Sequence, residues 1–100
     1  VVLPLPSEWV EKAKVLFSDA RRHLEEGRYR LTCFETQQVA ELYLKALLVM
    51  LTGTYPFTHD LVELIEALRD LGLRPPEELY TYADALTPHY AMARYPGGSP

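Results

Sequence analysis

Apolar residues recur along this chain at spacings of three and four rather than two, so the pattern predicts helices and no strand. Between Ser7 and Gly27, the residues Trp9, Val10, Ala13, Leu16, Phe17, Ala20 and Leu24 fall within an arc of about 120°, the stripe of a helix packed on one side. Val15 is the outlier. Ser7 is placed to cap this helix, with Glu8 and Glu11 in its first turn and Gly27 just past its end. A second helix is predicted from Tyr29 to Thr52, closing at Gly53, and a third from near Thr58 to Gly72. A fourth starts at Pro75-Pro76-Glu77-Glu78, where proline is tolerated and acids suit the helix dipole. Pro88 is expected to bend or end it. The connections are short, so the fold class is all-α, an antiparallel up-and-down bundle of four helices.

The second helix differs from the others. From Val39 to Leu51 its charged residues are Glu41 and Lys45 alone, and its apolar surface wraps about 260° of the circumference, so it must be covered nearly all round. Arg30, Gln37, Gln38, Glu41 and Lys45 share one arc and form a polar seam. The plain reading is an i,i+4 pair of Glu41 and Lys45 at a partly exposed edge. The functional reading is that the seam faces a ligand cleft or a partner chain, where Lys45 meets phosphate or carboxylate.

Length and composition narrow the rest. One hundred residues, 48% hydrophobic and 24% charged, make one globular domain with a modest core, and the longest apolar run, Ala46 to Leu51, is far too short to span a membrane. The net charge of −4 argues against a protein that coats nucleic acid through bulk charge. Cys33 is the single cysteine, which excludes an internal disulfide and a Cys-rich zinc site and makes a reducing cytoplasm the expected setting. The start at Val1 and the end at Gly97-Gly98-Ser99-Pro100 suggest a fragment, with residues 1–6 as an arm, 7–96 as the domain and 97–100 as a tail.

Several segments together resemble the HEPN domain of small prokaryotic proteins. They are Trp9 with Ala13 and Ala20; Gly27-x-Tyr29; the run Cys33-Phe34-Glu35-Thr36-Gln37-Gln38-Val39-Ala40-Glu41-Leu42-Tyr43-Leu44-Lys45-Ala46; Thr58-His59-Asp60-Leu61 with Leu64; and Tyr90 with Arg94-Tyr95-Pro96. The resemblance runs from Trp9 to Pro96 and implies an up-and-down bundle that often dimerises, with a further helix after Arg94-Tyr95-Pro96 that this chain lacks. It also implies nucleotide or RNA binding and a nucleotidyltransferase partner in a toxin and antitoxin pair. Some members are metal-independent ribonucleases carrying an Arg followed, after four to six residues, by His. This chain departs from that pattern: the positions five to seven before His59 are Thr54, Gly53 and Thr52, those before His89 are Asp84, Ala83 and Tyr82, and those before His23 are Ser18, Phe17 and Leu16.

Candidate chemistry gathers at few places. His59 reads as part of a turn in which Thr58 caps the third helix and His59 or Asp60 bonds a free backbone N–H, or as a ligand contact, or as the first member of a weak metal arrangement with Glu63, Glu66 and Asp70. Arg94 and Tyr95 offer a cation and an aromatic face for a phosphate and a base; the plainer alternative is that Tyr95 packs on the bundle while Arg94 pairs with an acid. Arg28-Tyr29-Arg30 is a second basic and aromatic cluster, read as a solvated turn, and Cys33 is read as core. The ligand-binding candidates are therefore Lys45, His59, Arg94, Tyr95, Gln38 and Glu41, with no metal and no cofactor assigned. The leading expectation is a noncatalytic dimeric binding module for a nucleotide, RNA or a nucleotidyltransferase partner. The alternatives are a metal-independent ribonuclease with an atypical site and a structural helical adaptor.

Overall fold

In the computed structural model, which describes residues 6–94 and the side chains of residues 6–86, the chain forms four helices in order: α1 (Ser7–Glu25), α2 (Tyr29–Thr52), α3 (Leu61–Asp70) and α4 (Glu77–Arg94). α1 and α3 end by the same device. Gly27, at φ +76°, donates its N–H to Leu24 O (3.1 Å) while Arg28 N–H reaches His23 O (2.9 Å). At the end of α3, Gly72 (φ +91°) bonds Arg69 O (2.9 Å) and Leu73 bonds Leu68 O (3.4 Å). This paired pattern satisfies the last helical carbonyls and requires a left-handed residue, which only glycine adopts without strain.

The helices pack in sequence around α2, which touches α1, α3 and α4, while α3 also touches α4 and, among the described residues, α1 touches α2 alone. The all-α up-and-down bundle expected from the periodicity is what forms. Its main core joins Leu48 of α2 to Leu61, Leu64, Ile65 and Leu68 of α3 and Ala83 of α4, flanked by Leu44, Leu47, Leu51 and Tyr80. On α1, Ala13 and Ala20 are buried toward α2, and their small side chains let the two helices approach closely. Among the described residues, no helix is long and apolar enough to cross a membrane.

Several details differ from the sequence reading. α1 starts at Ser7 itself, and Pro6 occupies the cap position with its carbonyl accepting from Val10 N–H (3.2 Å), so the Ser7 hydroxyl makes no cap bond. Phe17 and Leu24 lie on the apolar stripe of α1 yet are each 53% exposed, because a stripe this wide meets a single neighbouring helix. α3 begins at Leu61 rather than Thr58, the preceding turn being taken up by its cap. α4 continues past Pro88 to Arg94. Proline's fixed φ is helical and its ring removes one hydrogen bond, a cost of about 3 kcal/mol that does not by itself end a helix. Cys33 is half-buried rather than core.

Candidate functional site

Gln37, Glu41 and Lys45 are spaced by four along α2, so their side chains rise in one row. The row is buried. Gln37 has no exposed surface, Glu41 keeps 7% and Lys45 9%, which replaces the expected partly exposed edge by an interior ion pair. The reason is the covering by neighbours: Trp9 from the first turns of α1 meets Tyr55 of the α2–α3 loop edge to face, with ring centroids 5.0 Å apart, and Lys45 Nζ lies 5.2 Å from the Tyr55 ring centroid.

Glu41 is the centre of the arrangement. Its Oε1 accepts from Gln37 Nε2 (3.0 Å), and its Oε2 accepts from Lys45 Nζ (2.8 Å) and bonds His59 Nδ1 (2.9 Å). Gln37 Nε2 also donates to the His59 carbonyl (3.1 Å), and Gln38 Nε2 donates to Gln37 Oε1 (2.8 Å). The amide of Gln37 thus clamps the loop to the helix through both the carboxylate and the backbone of His59. Burial alone pushes the Glu41 carboxyl up, but the hydrogen bonds from Lys45, Gln37 and His59, with the Lys45 charge, outweigh it and hold the group below the usual glutamate range. Glu41 is therefore ionised at neutral pH.

His59 is brought to Glu41 by the turn before α3. Asp60 caps that helix, its Oδ1 accepting from Val62 N–H (2.9 Å), and Thr58 Oγ1 accepts from Asp60 N–H (3.0 Å). A capping turn is present, but Asp60 and not Thr58 is the cap, Thr58 bracing it from within the turn while His59 points back at α2. The His59 side chain is 50% exposed although its partner carboxylate is 9% exposed. In the neutral ring with Nδ1 donating to Glu41, the lone pair is on Nε2. A buried carboxylate orienting a half-exposed imidazole is the geometry of a general base and its orienting group.

A second His–Glu pair was not anticipated from the sequence. His23 Nδ1 bonds Glu35 Oε1 at 2.7 Å, with both side chains largely buried, and Arg22 Nη2 donates to His23 Nε2 (3.2 Å). His23 stands four residues before Gly27 and Glu35 eight after it, so the pair meets through the packing of α1 on α2 and not through a spacing that either helix displays by itself.

The other candidates do not join these groups. Arg30 is exposed and outside the network, and Arg28 pairs with Glu26 (3.1 Å) in the exposed α1–α2 turn. Glu63, Glu66 and Asp70 are exposed on α3 while His59 turns toward α2, and no group of three or more metal-ligating side chains assembles among the described residues. Arg94 is the last residue of α4, but its side chain, that of His89 and all of Tyr95 lie outside the described residues. A cavity of about 460 Å³ lined by Arg69, Arg74 and Tyr80 lies at the far end of α3 from His59.

Fold and site together define a helical bundle whose hub helix carries a buried, ion-paired carboxylate oriented toward a surface histidine. The chain belongs to the HEPN domain family, whose model matches residues 6–100, nearly the whole chain; the family is generally linked to RNA-related and toxin activity. No curated protein and no solved structure matches it.

Proposed function

We propose that this HEPN protein acts on RNA as a metal-independent ribonuclease with an atypical active site, in which His59 moves the proton and Glu41 holds its ring. The observation that carries this reading is the 2.9 Å contact of His59 Nδ1 with the buried Glu41 carboxylate, which fixes a half-exposed imidazole against an ionised group. In the reaction, Nε2 takes the proton of a ribose 2′-hydroxyl, and the freed oxygen attacks the adjacent phosphorus. The bond from phosphorus to the 5′-oxygen breaks, and that oxygen takes a proton from water, leaving a 2′,3′-cyclic phosphate and a 5′-hydroxyl. Lys45 acts at one remove: its charge is committed to Glu41, so it keeps the carboxylate ionised rather than meeting the phosphate. Gln38 braces Gln37, and Arg94 with Tyr95 is the candidate source of a cation and a ring for the phosphate side.

The missing Arg-to-His spacing favours a second reading, a binding module without turnover for a nucleotide, RNA or a nucleotidyltransferase, working as a homodimer. One experiment separates the two. The purified chain, incubated with single-stranded RNA and a chelator, is expected to produce cyclic-phosphate ends, and His59→Ala is expected to lower the rate by about 100-fold or more while the helical circular dichroism stays unchanged. Saturable binding with no cleavage would establish the binding module, and undiminished cleavage by His59→Ala would remove His59 from the chemistry.

A further inference from the structure

Phe57 is 99% exposed, the most exposed of the large apolar side chains among the described residues, and it stands two positions before His59. Its exposure is not the looseness of a long loop. Thr58 N–H donates to Pro56 O (3.0 Å), closing a three-residue turn with Phe57 at its apex. On one side of that turn, Tyr55 is packed against Trp9; on the other, His59 is tied to Gln37 and Glu41. Further back, Thr52 Oγ1 donates to Thr54 O (2.9 Å), and Gly53 N–H bonds Val49 O (2.8 Å). Tyr55 is thus anchored to α1 and His59 to α2, and Phe57 between them is held outward on an anchored loop. Holding a phenyl ring wholly in water has no folding benefit, whereas a ring presented by a fixed turn loses little freedom when something flat lies on it.

The surroundings say what that is. Two residues of backbone place Phe57 Cα within about 7 Å of His59 Cα, the scale that separates a nucleobase from its neighbouring phosphate. Electrostatic attraction is weak on this side, since the Lys45 charge is neutralised by Glu41 and α3 displays Glu63, Glu66 and Asp70. A contact that needs no charge is the one available. Aromatic stacking meets this condition, and it tolerates any base because each has a π-face.

We infer that Phe57 is a nucleobase-stacking platform that seats the base beside the phosphate presented to His59. The inference rests on the RNA-directed reading above and specifies its substrate contact: one unpaired base of a single strand. The test uses the whole chain and a mixed-sequence 2′-O-methyl oligonucleotide of eight residues, which binds but has no 2′-hydroxyl to react. Phe57→Ala is expected to weaken binding by about 5- to 150-fold without changing the melting temperature or the slope of affinity against salt. Phe57→Trp is expected to restore affinity, and its added fluorescence, measured against the background of Trp9, should be quenched by the oligonucleotide. Unchanged affinity in Phe57→Ala, no quenching in Phe57→Trp, or no oligonucleotide binding by the unaltered chain would overturn the inference. A halved mass of Phe57→Ala in sedimentation with oligonucleotide affinity intact would also overturn it, by assigning the ring to a protein contact. The two proposals fail separately: quenching without RNA cleavage removes the ribonuclease and keeps the platform, while cleavage with an unchanged KM in Phe57→Ala does the reverse.

Discussion

Glu41 shows what a single charge requires of the residues around it. An ionised carboxylate with 7% of its surface exposed is costly unless each oxygen is bonded, and here Gln37, Lys45 and His59 supply the bonds. Because its folded-state pKa lies below the unfolded one, this group adds stability that is fully present above the ordinary glutamate pKa. That contribution is lost as pH falls through the lowered folded value, so thermal melting followed down an acid series should steepen there, and Glu41→Gln should flatten that limb. Lys45→Met is expected to destabilise the chain by about 3 kcal/mol at neutral pH, since it leaves a buried carboxylate short of its cation. Adding Glu41→Gln to Lys45→Met should recover much of the loss, which urea denaturation of the four forms will measure. Independent losses that simply add would show that the ion pair is not coupled. The Glu41 and Lys45 pairing was legible from spacing alone, but the contact with His59 was not. It joins residues eighteen apart through a loop whose path depends on the Asp60 cap and the Tyr55 and Trp9 packing.

At the scale of elements, punctuation was the most readable feature and direction the least. Gly27 and Gly72 mark their helix ends because a left-handed residue is a local requirement that the sequence alone can express. An alanine at Gly72 meets no atom within 4 Å, so the expected loss of about 1 kcal/mol on Gly72→Ala is backbone strain and not crowding. Asp60→Ala should cost a similar amount, about 1 kcal/mol, through the lost bond to Val62 N–H, and should also loosen His59. Chemical denaturation of both variants checks the first part, and RNA cleavage checks the second: the two should match in stability loss while Asp60→Ala alone loses activity. Equal activity would separate the cap from the site. The apolar stripe of α1 was also read correctly as a stripe. Periodicity gives the direction of a face, however, and not the width of what covers it, so Phe17 and Leu24 were assigned to an interior that α2 alone does not provide. The second dyad escaped for a related reason: His23 and Glu35 meet through tertiary pairing across a turn, which no window along one helix reports.

For the whole molecule, the consequence is an uncovered flank. α1 touches α2 and no other helix among the described residues, and Phe17 and Leu24, seven residues apart, form one ridge along its open side. Tyr43 of α2 at 41% exposure and Tyr82 of α4 at 62% add apolar surface elsewhere. The apolar residues of α2 between Val39 and Leu51 are buried or half-buried except Tyr43, so the case for a homodimer rests on the more exposed ridge of α1. A ridge of this kind is self-complementary under a two-fold axis, which places the α1 helices of two copies against each other without calling for a different partner. Such a contact leaves the His59 face of each copy independent of the interface residues, so dimerisation and proton transfer are expected to be separable. Sedimentation equilibrium at micromolar concentration should give twice the chain's 11.5 kDa, and Phe17→Glu should return the single-chain mass with melting temperature little changed, because the replaced side chain is already 53% exposed. A single-chain mass for the unaltered protein, or a dimer that tolerates Phe17→Glu, would show that the α1 ridge is simply solvated and that two-fold assembly, if any, uses another face.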